Sequence, residues 1–406
     1  MSSPYTRLDD EEMKTSTVHA AAITESPDMV ELLDKVALTP AELSAPKIVV
    51  CVTGATSFVG AHVVRRLLRV GHTVHAPVRD MDDKFVGFLK AMPGASERLK
   101  LFQVTSLVEA GAYDEAMKGC EAVQHVASPF FLVGSKKQIQ EKLLDPAIVG
   151  MENILATCSK TPSIKKVVVT GTVLTACANY TKDKTVSEKD WEEACSETVW
   201  PYVHSKVVQE KRAIEIADKQ SQYELVNILI GGTFGPMCST HGNGISALIL
   251  KYIRLGLFWP AVPPMGLPMN DVRDIALMHS LAMSSAKAKG RYLPPQTMHN
   301  FYRLCHGLRT DKRTWRLLLP VFHFPGFMKG PFGMACPLLG FDGVMPSRLW
   351  GATGKIDSSL IEADLDLAAQ GFTAIPISQS IVDMDLTFRK YKMSSLSNSL
   401  GRAKNR

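Results

Sequence analysis

The chain has no Cys-x-x-Cys pair: its eight cysteines are scattered at positions 51, 120, 158, 177, 195, 238, 305 and 336. That spacing excludes the common zinc modules, predicts no metal site and suits a reducing compartment. No stretch reaches the roughly 20 uninterrupted apolar residues of a membrane span. The most apolar one, Leu317 to Val344, is broken by Pro320, Pro325, Pro331 and Pro337 and interrupted by Lys329. The first residues lack the apolar core of a signal peptide, and Asp9-Asp10-Glu11-Glu12 makes them too acidic for a transit peptide; a cytoplasmic location is expected. Basic and aromatic residues are not interleaved in the manner of a nucleic-acid surface, and no internal repeat is evident.

What remains is ordinary globular composition. The 406 residues are 46% hydrophobic and 21% charged, enough for one large α/β domain or two smaller ones. The net charge of +6 is unevenly spread: residues 1–46 hold nine acids and three bases, leaving about +12 on the rest. A basic body suits an anionic dinucleotide, although solvated surface lysines explain it equally well. Residues 1–46 are polar and read as a largely disordered extension with one short helix around Met29–Val36.

From Lys47 the pattern is strand, turn, helix, repeated. Ile48–Val52 is a buried β run, Val59–Val70 has helical period, Gly71 stops that helix and Thr73–Val78 is the next strand. Further apolar runs at Leu99–Val104, Ala122–Val126, Val167–Thr170 and Leu225–Ile230 alternate with helical stretches. This alternation predicts a doubly wound parallel sheet of Rossmann type over 47–236. Proline and glycine rise after about residue 236, and a smaller substrate lobe is expected over 237–392, with some segments returning to the sheet and a basic tail at 393–406. The apolar Leu317–Val344 stretch is read as lining or covering a substrate pocket, with contact to a membrane surface as the alternative.

Two motifs carry chemistry. Thr53-Gly54-Ala55-Thr56-Ser57-Phe58-Val59-Gly60 lies between a strand and a helix, where free N–H groups and the helix dipole favour a pyrophosphate. Gly54 and Gly60 fit the outer glycine positions, while Ser57 stands where glycine is usual. After the second strand comes Arg79, with Asp80 and Lys84 close behind. Arginine there accommodates the 2′-phosphate of NADP(H), so NADP(H) is favoured, with NAD(H) as the alternative through Asp80. About 150 residues downstream stands Tyr202-Val203-His204-Ser205-Lys206. Residues four apart share a helix face, and a neighbouring ammonium is expected to lower the phenol pKa.

These blocks resemble the extended short-chain dehydrogenase/reductases, and within them the dihydroflavonol reductase and cinnamoyl-CoA reductase group, with 3β-hydroxysteroid dehydrogenases as cousins. The resemblance covers about residues 47–392. It includes Gly119–Pro129, Gly150–Leu155, Lys166–Thr172, Asn270–Ala276 and Gly290–Leu293. It implies a catalytic trio of Thr172, Tyr202 and Lys206, and cofactor contacts from Gly54, Ser57, Phe58, Val59, Gly60, Arg79, Lys84, Ala127, Tyr202 and Lys206. Thr172 would hold the substrate oxygen, Tyr202 would exchange a proton with it, and Lys206 would tune the phenol and anchor the ribose. The chain departs from the family at Gly171, where serine is usual; at Ser106, where an adenine-contacting aspartate is usual; and at Ile230, where proline is usual.

The implied activity is NADP(H)-dependent interconversion of a carbonyl and an alcohol on a mid-sized, fairly apolar small molecule, by a monomer or homodimer. An epimerase/dehydratase-type enzyme and a non-catalytic NADP(H)-binding regulator are the alternatives. His125 and His204 read as structural histidines, and Trp191, Trp200 and Tyr180 as residues near the cleft.

Overall fold

Strands buried on both faces build the molecule. In the computed structural model, residues 26–129, 131–132, 134–177, 184–239, 244–314, 318–339 and 342–391 are described. Seven strands form one parallel sheet: β1 (Val49–Thr53), β2 (Thr73–Val78), β3 (Leu99–Gln103), β4 (Ala122–His125), β5 (Lys166–Thr172), β7 (Glu224–Ile230) and β11 (Gly290–Tyr292). Their order is β11-β7-β5-β4-β1-β2-β3. The strands β6 (Thr185–Val186) and β14 (Lys355–Ile356) pair separately. So do β9 (Ala261–Val262) with β13 (Phe322–His323), and β8 (Gly232–Phe234), β10 (Gly266–Asp271) and β12 (Thr297–Asn300).

Both faces of the large sheet are covered, which is why its strands read as continuous apolar runs. Val50, Val52, Ala122 and Val168 point to one face, packed under the helices Phe58–Val70 and Val272–Ser284. Cys51, Val123, Val167 and Val169 point to the other, under Asp145–Lys160. The period of two assigns neighbours to opposite faces. A third apolar cluster gathers Trp200, Val203, Phe234, Leu250, Leu304 and Phe332, and joins the later part of the chain to the helix Pro201–Ala217. Among the described residues, no helix is long and apolar enough to cross a membrane.

The strand order reverses between β1 and β4: from β1 the chain winds outward through β2 and β3, then returns to β4 on the other side. A crevice opens at such a switch point, outside the carboxyl ends of the strands. The Gly54 turn, Ala127 and Thr172 follow or end β1, β4 and β5 respectively, so topology places all three on this edge.

Part of the expected N-terminal extension is structured. Residues 1–25 lie outside the described residues, but Pro27–Leu33 and Pro40–Ser44 are helices. Thr39 and Glu42 close a capping box on the second of them. Glu42 is buried and accepts from Arg66 Nε at 2.7 Å, and Asp34 accepts from Arg65 Nε at 2.6 Å. Composition suggested disorder because the acids looked like solvated charge; they instead answer arginines on the helix Phe58–Val70. Arg389 and Lys390 close the helix Ile377–Lys390, with Arg389 reaching Asp385 at 3.0 Å; the expected basic tail at 393–406 lies outside the described residues.

Burial alone would raise the Glu42 pKa, but hydrogen bonds and charge from Arg66, with the Thr39 N–H, hold it below the usual carboxylate value. A depressed carboxylate contributes stability that is present above its unfolded pKa and lost as pH falls through the folded one. We predict that Glu42→Gln, which leaves Arg66 buried without its counter-charge, destabilises the protein by about 3 kcal/mol at neutral pH. The loss, read by urea unfolding, should shrink as pH drops below about 4.5, near the unfolded pKa of a glutamate.

Candidate active site

The turn after β1 is fixed by close backbone contact. Gly54 has φ +71°, and a Cβ there would lie 2.6 Å from the Ala127 N atom. A Cβ on Gly60 would lie 2.1 Å from the Gly54 carbonyl oxygen. Both positions therefore demand glycine, and the first turn of the helix Phe58–Val70 is drawn against β1 and the loop after β4. Ser57 is the N-cap: its Oγ accepts from the Gly60 N–H at 3.0 Å. That contact uses the oxygen as an acceptor and leaves the exposed hydroxyl proton for a ligand. Phe58 and Val59 open the helix, both partly buried, with Phe58 edge-on to His62 at 5.9 Å.

Arg79 follows the last residue of β2, exposed. Lys84 is 3.0 Å from the Asp82 carboxylate, both about half exposed, so the lysine already has an anionic neighbour. Asp80 accepts from the Asp82 N–H at 2.9 Å, part of the turn into the helix Asp83–Lys90. These residues fit a pyrophosphate at the helix N-terminus and a further phosphate near Arg79.

Tyr202 and Lys206 lie one turn apart on the helix Pro201–Ala217. The helix begins after Trp200, a buried residue held at φ +61°. That left-handed conformation is unfavourable for a bulky side chain, and Pro201 occupies the first helical position, where its missing N–H is harmless. The buried Trp200 indole fixes the direction from which the helix enters the site.

Lys206 is buried and donates to Ser128 Oγ, in the loop after β4, and to Gln209 Oε1 at 2.9 Å. Burial lowers its pKa to about 8, against the opposing pull of Glu210. Glu210 accepts from Arg291 Nε at 2.9 Å, a buried pair between the helix and β11. Burial raises the Glu210 pKa despite that arginine. Arg291 also donates to the carbonyls of Glu188 and Asp190 and stacks 3.7 Å from the Trp191 ring centroid.

Thr172 ends β5 and caps the short turn Val173–Thr175. Thr172 and Lys206 line one small cavity with Thr170, Gly171, Gln209 and Glu210. Gly171 matters here: a Cβ on it would press into Leu229 at 2.6 Å. The serine usual in the family would require the Leu229 side chain to shift, and Thr172 carries the hydroxyl that ends β5 in the cavity shared with Lys206.

One expectation is corrected. Lys206 does not lower the Tyr202 pKa in this arrangement; burial pushes the phenol up to about 12. The ammonium is engaged by Ser128 and Gln209 and stands 6.0 Å from the Tyr202 ring centroid, so desolvation prevails. His125 has the structural role expected. It is buried against Thr53 Oγ1 at 2.8 Å, and burial, followed by the Lys206 charge, pushes its pKa down to about 3. His204 is partly exposed on the same helix, and Tyr180 lies outside the described residues.

The sequence reading missed Ser128, Gln209, Glu210 and Arg291, the groups that hold Lys206 in place. Part of that signal was available: Gln209 and Glu210 stand three and four residues beyond Lys206, the spacing at which helix neighbours meet. Ser128, in the loop after β4, and Arg291, in β11, are distant in sequence and had no such cue.

With this geometry in view, the profile of the "NAD dependent epimerase/dehydratase family" matches residues 50–291. A cinnamoyl-CoA reductase of Medicago truncatula is 36% identical over 267 residues, covering 64% of this chain and 80% of that protein. A dihydroflavonol 4-reductase of Callistephus chinensis is 30% identical over 292 residues, covering 68% and 74%. The crystal structure of Gre2 from Candida albicans in complex with NADPH superposes with a TM-score of 0.69 at 24% identity, over 85% of this chain and 99% of that one, a likeness of fold. The chain belongs to the NAD dependent epimerase/dehydratase family of extended short-chain dehydrogenase/reductases, and it is an NAD(P)-dependent oxidoreductase.

Proposed function

We propose that the protein interconverts a carbonyl and an alcohol on a mid-sized, fairly apolar molecule, with NADP(H) preferred over NAD(H). The observation that carries this reading is the placement of the trio: Thr172 ends β5 and shares a small internal cavity with Lys206, and Tyr202, which does not line that cavity, stands one turn before Lys206 on its helix. A bound nicotinamide cofactor would supply or accept the hydride. Gly54, Ser57, Phe58, Val59, Gly60 and Ala127 would hold its pyrophosphate side, and Arg79, with Lys84, the 2′-phosphate.

The Thr172 hydroxyl would hold the substrate oxygen by a hydrogen bond. Tyr202 would donate its proton to that oxygen in reduction and take one in oxidation. A phenol whose pKa burial has pushed up to about 12 is protonated at neutral pH, the form that reduction needs. The Lys206 ammonium, titrating near 8, keeps positive charge beside the developing alkoxide. Tyr202 packs against the same apolar cluster as Trp200, Phe332 and Leu349, which favours a substrate with an apolar body over a sugar nucleotide.

Cofactor absorbance in the presence of a panel of carbonyl compounds tests the reading: oxidation of NADPH with one class of compound is expected. Binding of NADPH without turnover of any carbonyl or alcohol would favour the regulator instead. Tyr202→Phe should lower turnover by about 10² to 10⁴ with cofactor binding nearly intact. Lys206→Met should damage both turnover and binding, and Thr172→Ser should retain far more activity than Thr172→Val. A parent rate for Tyr202→Phe would reject the relay.

For the cofactor, Arg79→Glu should weaken NADPH binding far more than NADH binding, because a charge-assisted contact is replaced by repulsion. Equal losses by fluorescence titration would show that Arg79 does not read the 2′-phosphate.

A further inference from the structure

We propose that the segment around 318–339 docks the protein onto an anionic lipid bilayer surface. It was expected to line the substrate pocket, and one side of it does pack inward: Leu319, Phe332 and Cys336 are buried in the cluster that contains Trp200. The other side is bare. Phe327, Met334 and Leu338 are 77–89% exposed, and Leu318 and Phe322 are 64–67% exposed. Leu257 and Trp259, at 55–58%, lie alongside: β9 pairs with β13, and the Val321 N–H donates to the Pro260 carbonyl at 2.8 Å. The Tyr252 hydroxyl donates to the Leu339 carbonyl at 2.8 Å while its ring meets Phe258 edge-on, which ties the two stretches together.

A water-soluble surface rarely leaves so many large apolar side chains together, and such a patch marks a binding face. Charge selects the occupant. The described segment 318–339 holds one cation, Lys329, and Arg309 of the preceding helix donates to its Pro320 carbonyl. Residues 318–339 contain no acid at all. A second copy meeting this face through a two-fold axis would bring Lys329 against its own copy or against apolar surface, with no carboxylate in the segment to answer it. Anionic headgroups answer it directly. Aromatic and aliphatic tips on short helical turns then enter the headgroup boundary, and Lys329, half-buried between Phe327 and Met334, can lay its stem along the apolar surface with its ammonium among the phosphates. The segment's inner side adjoins the Tyr202 cluster, so docking would bring the substrate cleft close to a lipid phase that holds apolar substrates.

The test is flotation of the full chain with vesicles of phosphatidylcholine alone and of two parts phosphatidylcholine to one part phosphatidylserine. Binding is expected to the mixed vesicles, weakened by salt. It should fall by about tenfold or more in a Phe327→Glu, Met334→Glu, Leu338→Glu triple variant, whose altered side chains are surface groups outside the cofactor site. Lys329→Glu alone should also weaken binding and provides the check if the triple variant does not fold. NADPH binding should be unchanged in both. Failure of the folded protein to float with either vesicle overturns the proposal, as does undiminished binding by both variants. A dimer seen by light scattering and split by the same substitutions, without vesicle binding, would assign the face to a second copy.

Discussion

A buried ammonium must be satisfied where it sits, and in this protein that requirement organises the site. Lys206 reaches Ser128 across the cleft and Gln209 along its own helix, with Glu210 behind it. Glu210 in turn binds Arg291, which holds the carbonyls of Glu188 and Asp190 and stacks on Trp191. One run of charge-assisted contacts thereby joins the loop after β4, the helix of Tyr202, the edge strand β11 and the segment before that helix. Isolated in a dry interior, each of these charges would be strongly unfavourable; together they specify how the elements meet. Thr172 and the glycine turn need no such network, because sheet pairing already places them on the carboxyl edge.

The same network separates the tasks of the two helix residues. With its donors turned to Ser128 and Gln209, Lys206 does not set the phenol's acidity in this arrangement. Burial does, and it favours the neutral acid. On the proposed reading, the ammonium would supply positive charge beside the ribose and the developing alkoxide. Below the sheet edge, Gln124, His279 and Thr170 form a buried polar bridge from β4 and β5 to the helix Val272–Ser284. It stiffens the floor of the site without presenting a titrating group, since burial pushes His279 down to about 3.

Where physics is local, the sequence was legible. The expected strands at Thr73–Val78 and Leu225–Ile230, and the helix stopped by Gly71, agree with the structure to within a residue. The edge strand β11 escaped notice because three residues carry no period, and its identity depends on pairing with β7. Within residues 26–46 the expected helix near Met29–Val36 is present as Pro27–Leu33, but the ordered packing around it was not legible: Asp34 and Glu42 look like solvated acids until Arg65 and Arg66 fold against them. In the site, Tyr202 and Lys206 could be recognised by spacing, and Gly54 by its turn. The phenol's raised pKa could not, because it depends on how deeply the ring is buried and where the ammonium points. The apolar stretch near Leu317–Val344 was visible, but its two-sidedness was not; composition cannot say which side chains face inward.

The most direct test of the central claim is to follow a label. With NADPH carrying deuterium at the transferable ring position and an active carbonyl substrate, the account predicts deuterium on the carbinol carbon of the product, one per turnover. Loss of that transfer in Tyr202→Phe, with NADPH still bound, would place the proton step at Tyr202. A product that carries no deuterium at that carbon, formed without net oxidation of the cofactor, would contradict a reductase and point to epimerase-type chemistry.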